Sequence, residues 1–314
     1  MRQAWIFSLA VLVATATCAE QVRRPADEND LRYWLANMMT HSYSLDEMSS
    51  VVGMPTNEVA AAFRRFEIKP LRATNSLLVL PYPGGRHPRI GFLDGAIDPQ
   101  RETKVSVFTS WDASSYVVVD VPEAIFSNLG LTYLAHTHIP TLWSKQGITL
   151  TPLEWKRNAE GSLEIERLLP NRIAFGASVK PATNAVLMEL WLRNGTDQLL
   201  TGLRVQNCVM LKATVDFNVQ TNANKVFATP FVACGSADRK RWIITAWEPC
   251  QRVWANPPVP CLHSDPQFPD CPPGETRRVR GWLSFYEGSD VEGEFNRIAS
   301  LPGRSSQRKD AKAQ

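Results

Sequence analysis

No stretch of this 314-residue chain stays apolar for the roughly 20 residues that a membrane-spanning helix needs. Also missing are a glycine-rich phosphate loop, a nucleophile-elbow motif and a dinucleotide fingerprint, so nucleotide and redox cofactors are disfavoured and none is expected. Histidine is scarce, with five in the chain, and no two cysteines stand at the Cys-x2–4-Cys spacing of common zinc sites. No metal is expected on that ground. Concentrated positive charge is absent too. The formal net charge is +3 and the lysines and arginines are spread thinly, which argues against a nucleic-acid surface. Apolar residues make up 44% and charged residues 21%, so a packed core is expected and global disorder is not.

What is present begins with "MRQAWIFSLAVLVATATCAE". A basic start at Arg2, an apolar run from Ala4 to about Ala14, and small residues allowing cleavage after Ala16 or Ala19 have the form of a secretory signal peptide over 1–19. The mature chain is therefore expected to be exported, periplasmic or extracellular. Cys18 raises the alternative of a lipid anchor, although Thr15-Ala16-Thr17 lacks the leucine-rich pattern that such anchoring favours. Export places Cys208, Cys234, Cys250, Cys261 and Cys271 in an oxidising compartment, where pairing is the default. Five is odd, so at least one thiol stays free, buried or bound to something else. At the other end, 301–314 is polar, rich in lysine and serine, and reads as a disordered tail.

Residues 27–68 have helical pattern. Leu31, Trp34, Leu35 and Met38 recur at helical spacing, Ser44 with Glu47 forms a capping box, Gly53 stops the second helix, and Thr56 or Asn57 caps a third. Helix, glycine turn, capped helix resembles a helix-turn-helix unit. Six acids against three arginines between Asp27 and Arg65 would repel a phosphate backbone, so a packing bundle or a docking surface for an envelope protein partner is the better reading.

From 74 to 300 the period changes to two. Segments such as "KVSVFTSW", "SYVVVDVP", "SLEIERLLP", "RIAFGASVKP", "RWIITAWE" and "RRVRGWLSFYEG" give roughly ten to thirteen short strands separated by turn signals, which predicts a mainly β fold, a large antiparallel sandwich. The hairpin "AVLMELWLRNGTDQLLTGLRVQNCVML" and the later "CPPGETRRVRGWLSFYEG" resemble the supersandwich of galactose-mutarotase-like sugar-binding proteins. The whole chain also resembles exported bacterial proteins of unassigned activity that share the helical front, "PYPGGRHPRIGFLDGA" and "HSDPQFPDCPPGE". The first resemblance implies a face of polar and aromatic side chains turned to a saccharide, and an acid/base pair of one histidine and one carboxylate.

Candidate chemistry gathers in three places. In "LAHTHIPTLW", His136 and His138 stand two apart on a strand and face one side, suiting a metal ligand pair or a general acid/base with Glu102, Glu154 or Glu248; the structural alternative is a capped carbonyl and a solvated ring. Trp143 follows closely as a stacking surface. In "PYPGGRHPRIGFLDGAIDPQRETKVSVF", Arg86, His87, Arg89, Asp94, Arg101 and Lys104 suit hydroxyls or carboxylates, against the alternative of a salt-bridged loop on the sheet edge. The proline-rich "CQRVWANPPVPCLHSDPQFPDC" predicts a loop clasped by a disulfide, with the third cysteine pairing to Cys208 or Cys234. His263, Asp265, Trp247 and Trp254 border it as the wall of a carbohydrate-sized cleft. Trp111, Trp155, Trp191, Trp242 and Trp282 sit inside strand patterns and read as core. Asn194-Gly195-Thr196 is a glycosylation sequon. The leading expectation is an exported carbohydrate-binding protein. A carbohydrate-active epimerase, lyase or hydrolase and a structural or assembly protein of the envelope are the alternatives.

Overall fold

The structure is a computed structural model describing residues 22–92, 102–136 and 138–301. The expected signal peptide, Cys18, Asp94, Arg101 and the tail after Leu301 lie outside the described residues.

Two antiparallel sheets pack face to face. The seven-stranded sheet runs β1 (Val79–Pro81), β2 (Lys104–Phe108), β3 (Tyr116–Ser127), β9 (Val205–Met210), β14 (Val259–Pro266), β13 (Cys250–Asn256), with β4 (Gly130–Leu134) also paired to β3. The eight-stranded sheet runs β10 (Lys225–Ala228), β11 (Phe231–Gly235), β12 (Arg241–Glu248), β15 (Thr276–Glu287), β8 (Ala185–Arg193), β7 (Ala174–Pro181), β6 (Leu163–Leu168), β5 (Lys156–Arg157). Period-two alternation decides which side chains meet between them. Val105, Val107, Val117, Val119 and Val121 from one sheet meet Val186, Met188, Leu190 and Leu192 from the other in the main core. The expected sandwich is therefore present.

Three helices cover part of the outer face of the seven-stranded sheet: α1 (Glu28–Thr40), α2 (Leu45–Val52) and α3 (Thr56–Phe66). Ser44 and Glu47 form the capping box foreseen for α2, and Gly53 ends it with φ 66°, a left-handed conformation that glycine adopts without strain. The cap of α3 differs from expectation: Pro55 holds the position and no side chain caps it. The bundle is fastened to the sheet by polar contacts in an apolar seam. His41 is fully buried among Tyr43, Tyr82, Phe108 and Tyr116, with Nδ1 2.8 Å from Asn37 O and Nε2 2.7 Å from Ser106 Oγ. Nδ1–H therefore donates to the carbonyl and Nε2 accepts from the serine.

A fourth helix, α4 (Val291–Ala299), was not legible in the sequence. It lays Val291, Phe295 and Ile298 on the outer face of the eight-stranded sheet beside Phe231, Trp242 and Trp282. No helix among the described residues is long and apolar enough to cross a membrane.

Two expectations need correction. The 250–271 stretch is not an irregular loop, because β13 and β14 form a paired hairpin and Cys271 bridges to Leu200. Nor is it clasped: Cys208, Cys234, Cys250, Cys261 and Cys271 are all free thiols. Backbone pairing supplies the order that a disulfide was expected to give. The sequon asparagine is structural as well. Asn194 is buried, donating Nδ2 to the carbonyls of Gln198 and Cys271 at 2.7 and 2.8 Å.

Candidate functional site

One register row of the seven-stranded sheet carries an unusual run of polar side chains on its outer face. Lys104 on β2 pairs with Asp120 on β3, and Asp120 pairs with Cys208 on β9. Cys261 on β14 lies opposite Met210, which puts Cys261, His263 and Asp265 on the same face; Trp254 on β13 lies opposite His263. A register shift in β3 between Asp120 and Ala124 turns Glu123 outward as well, although its neighbours Val121 and Ile125 point into the core.

The first half of the row is ionic. Arg89 donates to Glu123 at 2.7 Å and stands 3.7 Å from Asp120, while the Lys104 ammonium lies 2.8 Å from Asp120. His136 Nε2 is 2.8 Å from Glu123 and 3.0 Å from Arg89, and its Nδ1 has no hydrogen-bond partner among the described residues. All five groups are buried. Burial holds His136 neutral, with its pKa lowered to about 3. Burial alone would raise Glu123, but Arg89, His136 and His263 outweigh it and hold the carboxyl well below its ordinary range. His136 Nε2 thus faces both an acceptor, the Glu123 carboxylate, and a donor, the Arg89 guanidinium, while Nδ1 is left without a partner among the described residues. Asp120 moves the other way, pushed up by burial against the pull of Lys104.

The second half is softer. Cys261 Sγ sits 3.3 Å from His263 Nε2, and Cys208 Sγ joins them, all three donor atoms lying within 4.8 Å of one another. The Trp254 indole stacks on the His263 ring at 3.8 Å and 12°. Asp265 accepts from Trp254 Nε1 at 2.7 Å, Arg252 Nε at 2.8 Å and the Asn207 backbone at 3.2 Å. A hydrogen bond from Cys208, aided by His263, draws the Cys261 thiol down to about 4, while burial pushes Cys208 well up. Burial opposes the charge on His263, but Asp265 and Cys261 raise its pKa to about 10.

Eight residues singled out from the sequence thus converge: Arg89, Lys104, His136, Cys208, Trp254, Cys261, His263 and Asp265. His138 is exposed beside them, its ring 5.6 Å from that of His136. Others do not join. Arg86 fastens α2 through Glu47 at 2.7 Å and the carbonyls of His41 and Ser42. His87 makes a local contact to Arg89 nearby. Trp143 is buried, donating to Thr132 O, and Trp247 is buried in the core, so neither offers a stacking surface. Glu102 is tied to Arg167 at 2.6 Å and to Tyr133 at 2.9 Å, and Glu248 closes β12 opposite Arg280, so the acid beside His136 is Glu123 rather than Glu102, Glu154 or Glu248. Asp120 and Glu123 were missed. Their signal was two carboxylates inside the apolar strand run "VVVDVPEAIF".

A second feature lies on the outer face of the eight-stranded sheet, across β6, β7, β8 and β15 and beyond the patch that α4 covers. Glu166, Gly176, Trp191 and Arg278 form one register row across β6, β7, β8 and β15. Trp191 lies across Gly176, where a Cβ would fall 2.5 Å from the ring. It is half-exposed on the outward face, which corrects its expected place in the core. The groove has a volume of about 520 Å³ and is also lined by Glu164, Glu189, Lys156 and Glu154, the last paired with Arg23.

No protein-family model matches the chain, and no curated protein matches it. Among solved structures it is similar to the Slr1438 protein of Synechocystis sp. PCC 6803, with 11% identity and a TM-score of 0.35 over 69% of this chain and 99% of that one. It is also similar to a mutant of heparan sulfate lyase HepC from Pedobacter heparinus, with 9% identity and a TM-score of 0.35 over 84% of this chain and 43% of that one. Likenesses this remote leave function to be read from the residues.

Proposed function

We propose that this is an exported carbohydrate-binding protein whose platform is the groove of the eight-stranded sheet. The observation that carries the reading is Trp191 held across Gly176 in an open polar groove. An indole face packs well against the C–H face of a pyranose, and flanking carboxylates and a guanidinium accept from and donate to its hydroxyls. The volume of about 520 Å³ lies within the range of small-ligand sites. Charge narrows the class of sugar. Among the described residues, four carboxylates, Glu154, Glu164, Glu166 and Glu189, outnumber the three cations beside them, Arg23, Lys156 and Arg278. Neutral or amino-bearing saccharides therefore suit the groove better than uronates or sulfated sugars.

Calorimetric titration of the mature protein with neutral, amino-bearing and acidic oligosaccharides tests this. Binding of a neutral or amino sugar that weakens about tenfold or more in Trp191→Ala is the expected result. Binding that ignores the substitution, or no binding across the panel, would overturn it.

A second reading, a carbohydrate-active enzyme, is favoured by one observation: the neutral, buried His136 held 2.8 Å from Glu123 with Nδ1 unpartnered, beside exposed His138. Such a pair suits proton transfer. It predicts turnover that His136→Gln abolishes while saccharide affinity is kept; equal turnover in the variant excludes it.

A further inference from the structure

We propose that Cys208, Cys261 and His263 bind a zinc ion. The proposal stands apart from the saccharide reading, since these residues lie on the other sheet. Strands carry all three donors, so backbone pairing fixes their positions before any ion arrives. Their spacing is right. Zinc bonds of ~2.3 Å to sulfur and ~2.0 Å to nitrogen, opened to the tetrahedral angle, put the two donor atoms ~3.5 Å apart. Cys261 Sγ and His263 Nε2 are 3.3 Å apart, and Cys208 Sγ falls within 4.8 Å of both.

The surroundings of His263 match what a metal-bound imidazole requires. Its Nε2 faces the thiols, and its Nδ1 has no hydrogen-bond partner among the described residues but lies 3.7 Å from Asp265 Oδ1 and 3.8 Å from Glu123 Oε2. Carboxylates behind the second ring nitrogen are the usual means of fixing a ligating histidine's tautomer and orientation. Trp254, stacked at 3.8 Å, keeps the ring from turning.

Charge balance favours a dication. Among the described residues, Arg89, Lys104 and Arg252 neighbour Asp120, Glu123 and Asp265, an even match. Two thiolates then cancel a 2+ ion, and binding a neutral His263 imidazole beside them releases the protons the three ligands carried. A monovalent ion would leave one buried charge uncompensated. The other cluster of potential ligands, Asp120, Glu123 and His136, does not compete, because Lys104 and Arg89 already occupy its carboxylates at 2.8 and 2.7 Å. Three protein ligands leave the fourth tetrahedral position to water or a small molecule, the pattern of reactive rather than purely structural zinc.

The test is metal analysis of the full mature chain purified without chelator. About one zinc per chain is expected, and exchange with cobalt should give a thiolate-to-cobalt charge-transfer band with tetrahedral visible bands. Cys208→Ser and His263→Gln should each lower retained zinc about tenfold or more, whereas Cys234→Ser, a buried thiol outside the cluster, should retain it. Because a variant lacking a ligand can misfold, X-ray absorption at the zinc edge of the unaltered protein gives an independent reading of two sulfurs with lighter atoms. Zinc-free protein that yields no cobalt band, a zinc shell without sulfur, or a Cys208–Cys261 disulfide in the non-reduced protein would each overturn the proposal.

Discussion

Each sheet turns a row of polar residues away from the core, and the two rows have opposite fates. Lys104, Asp120, Cys208 and His263 are buried beneath covering segments, while Glu166, Trp191 and Arg278 meet water. The pairing geometry is the same in both. What differs is how charge is tolerated. In the covered row every charged group has a counter-charge within 4 Å, because an isolated ion there would cost several kcal/mol. The open row carries an excess of carboxylates that water screens. A sandwich like this can hold a rigid, preorganised centre on one face and an adaptable contact surface on the other.

The sharpest way to break the contrast is to remove one acid from each row. Glu123→Ala leaves Arg89 buried without its closest partner and is expected to cost ~3–5 kcal/mol in chemical denaturation, whereas Glu189→Ala should stay within ~0.5 kcal/mol. Comparable losses would erase the distinction. Acid should discriminate next. His41 beneath the helices has a pKa lowered to about 3 by burial, assisted by the Arg86 charge. The unfolded chain protonates first, so stability is full above the ordinary value of 6.5 and drains as the pH falls toward 3. The slope should approach about 1.4 kcal/mol per pH unit. His136 adds a similar slope, and His41→Gln should remove one share; a denaturation profile unchanged by that substitution would refute the assignment.

On the open row, Gly176→Ala pushes a methyl to 2.5 Å from the Trp191 ring and 2.6 Å from the Ile165 carbonyl. Overpacking of that kind costs ~1–3 kcal/mol and should displace the indole, visible as a shift in tryptophan emission. An unshifted spectrum at full stability would mean the ring does not rest on the glycine. The smallest effect concerns thiol reactivity. Cys250 is the half-buried cysteine of the five, so it should alkylate first, with stability changed by less than ~0.5 kcal/mol. Earlier labelling of Cys208 or Cys261 would mean the covered row is open in solution.

Much of this architecture could be read from residue patterns. The alternating valines of "KVSVF" and "SYVVVDV" declared their strands, and the Ser44–Glu47 box declared its helix, because both signals are local. The β13–β14 hairpin escaped because Pro257, Pro258 and Pro260 read as a loop, although two of them sit at its turn and the third where the backbone pairs only through its carbonyl. The centre was half legible. His136, His263, Lys104 and Arg89 stood out chemically, but their union depends on strand order and on a register shift at Glu123, both set by long-range pairing. Trp191 was misplaced for a related reason. Its strand is buried on one side and bare on the other, and only the position of α4 decides which stretch of the outer face stays open.

The Asn194 side chain has a practical consequence for anyone making this protein in a eukaryotic secretory host. Its amide nitrogen is the atom an oligosaccharyltransferase would modify, and in the finished fold that nitrogen serves two carbonyls in a site closed to solvent. Attachment of a glycan can only precede folding, and a chain so modified cannot close the turn between β8 and the Cys271 segment. Production there becomes a race between a transferase and a hairpin. Asn194→Asp would not rescue it, since a carboxylate cannot donate those bonds, whereas Thr196→Ala removes the sequon and keeps the amide.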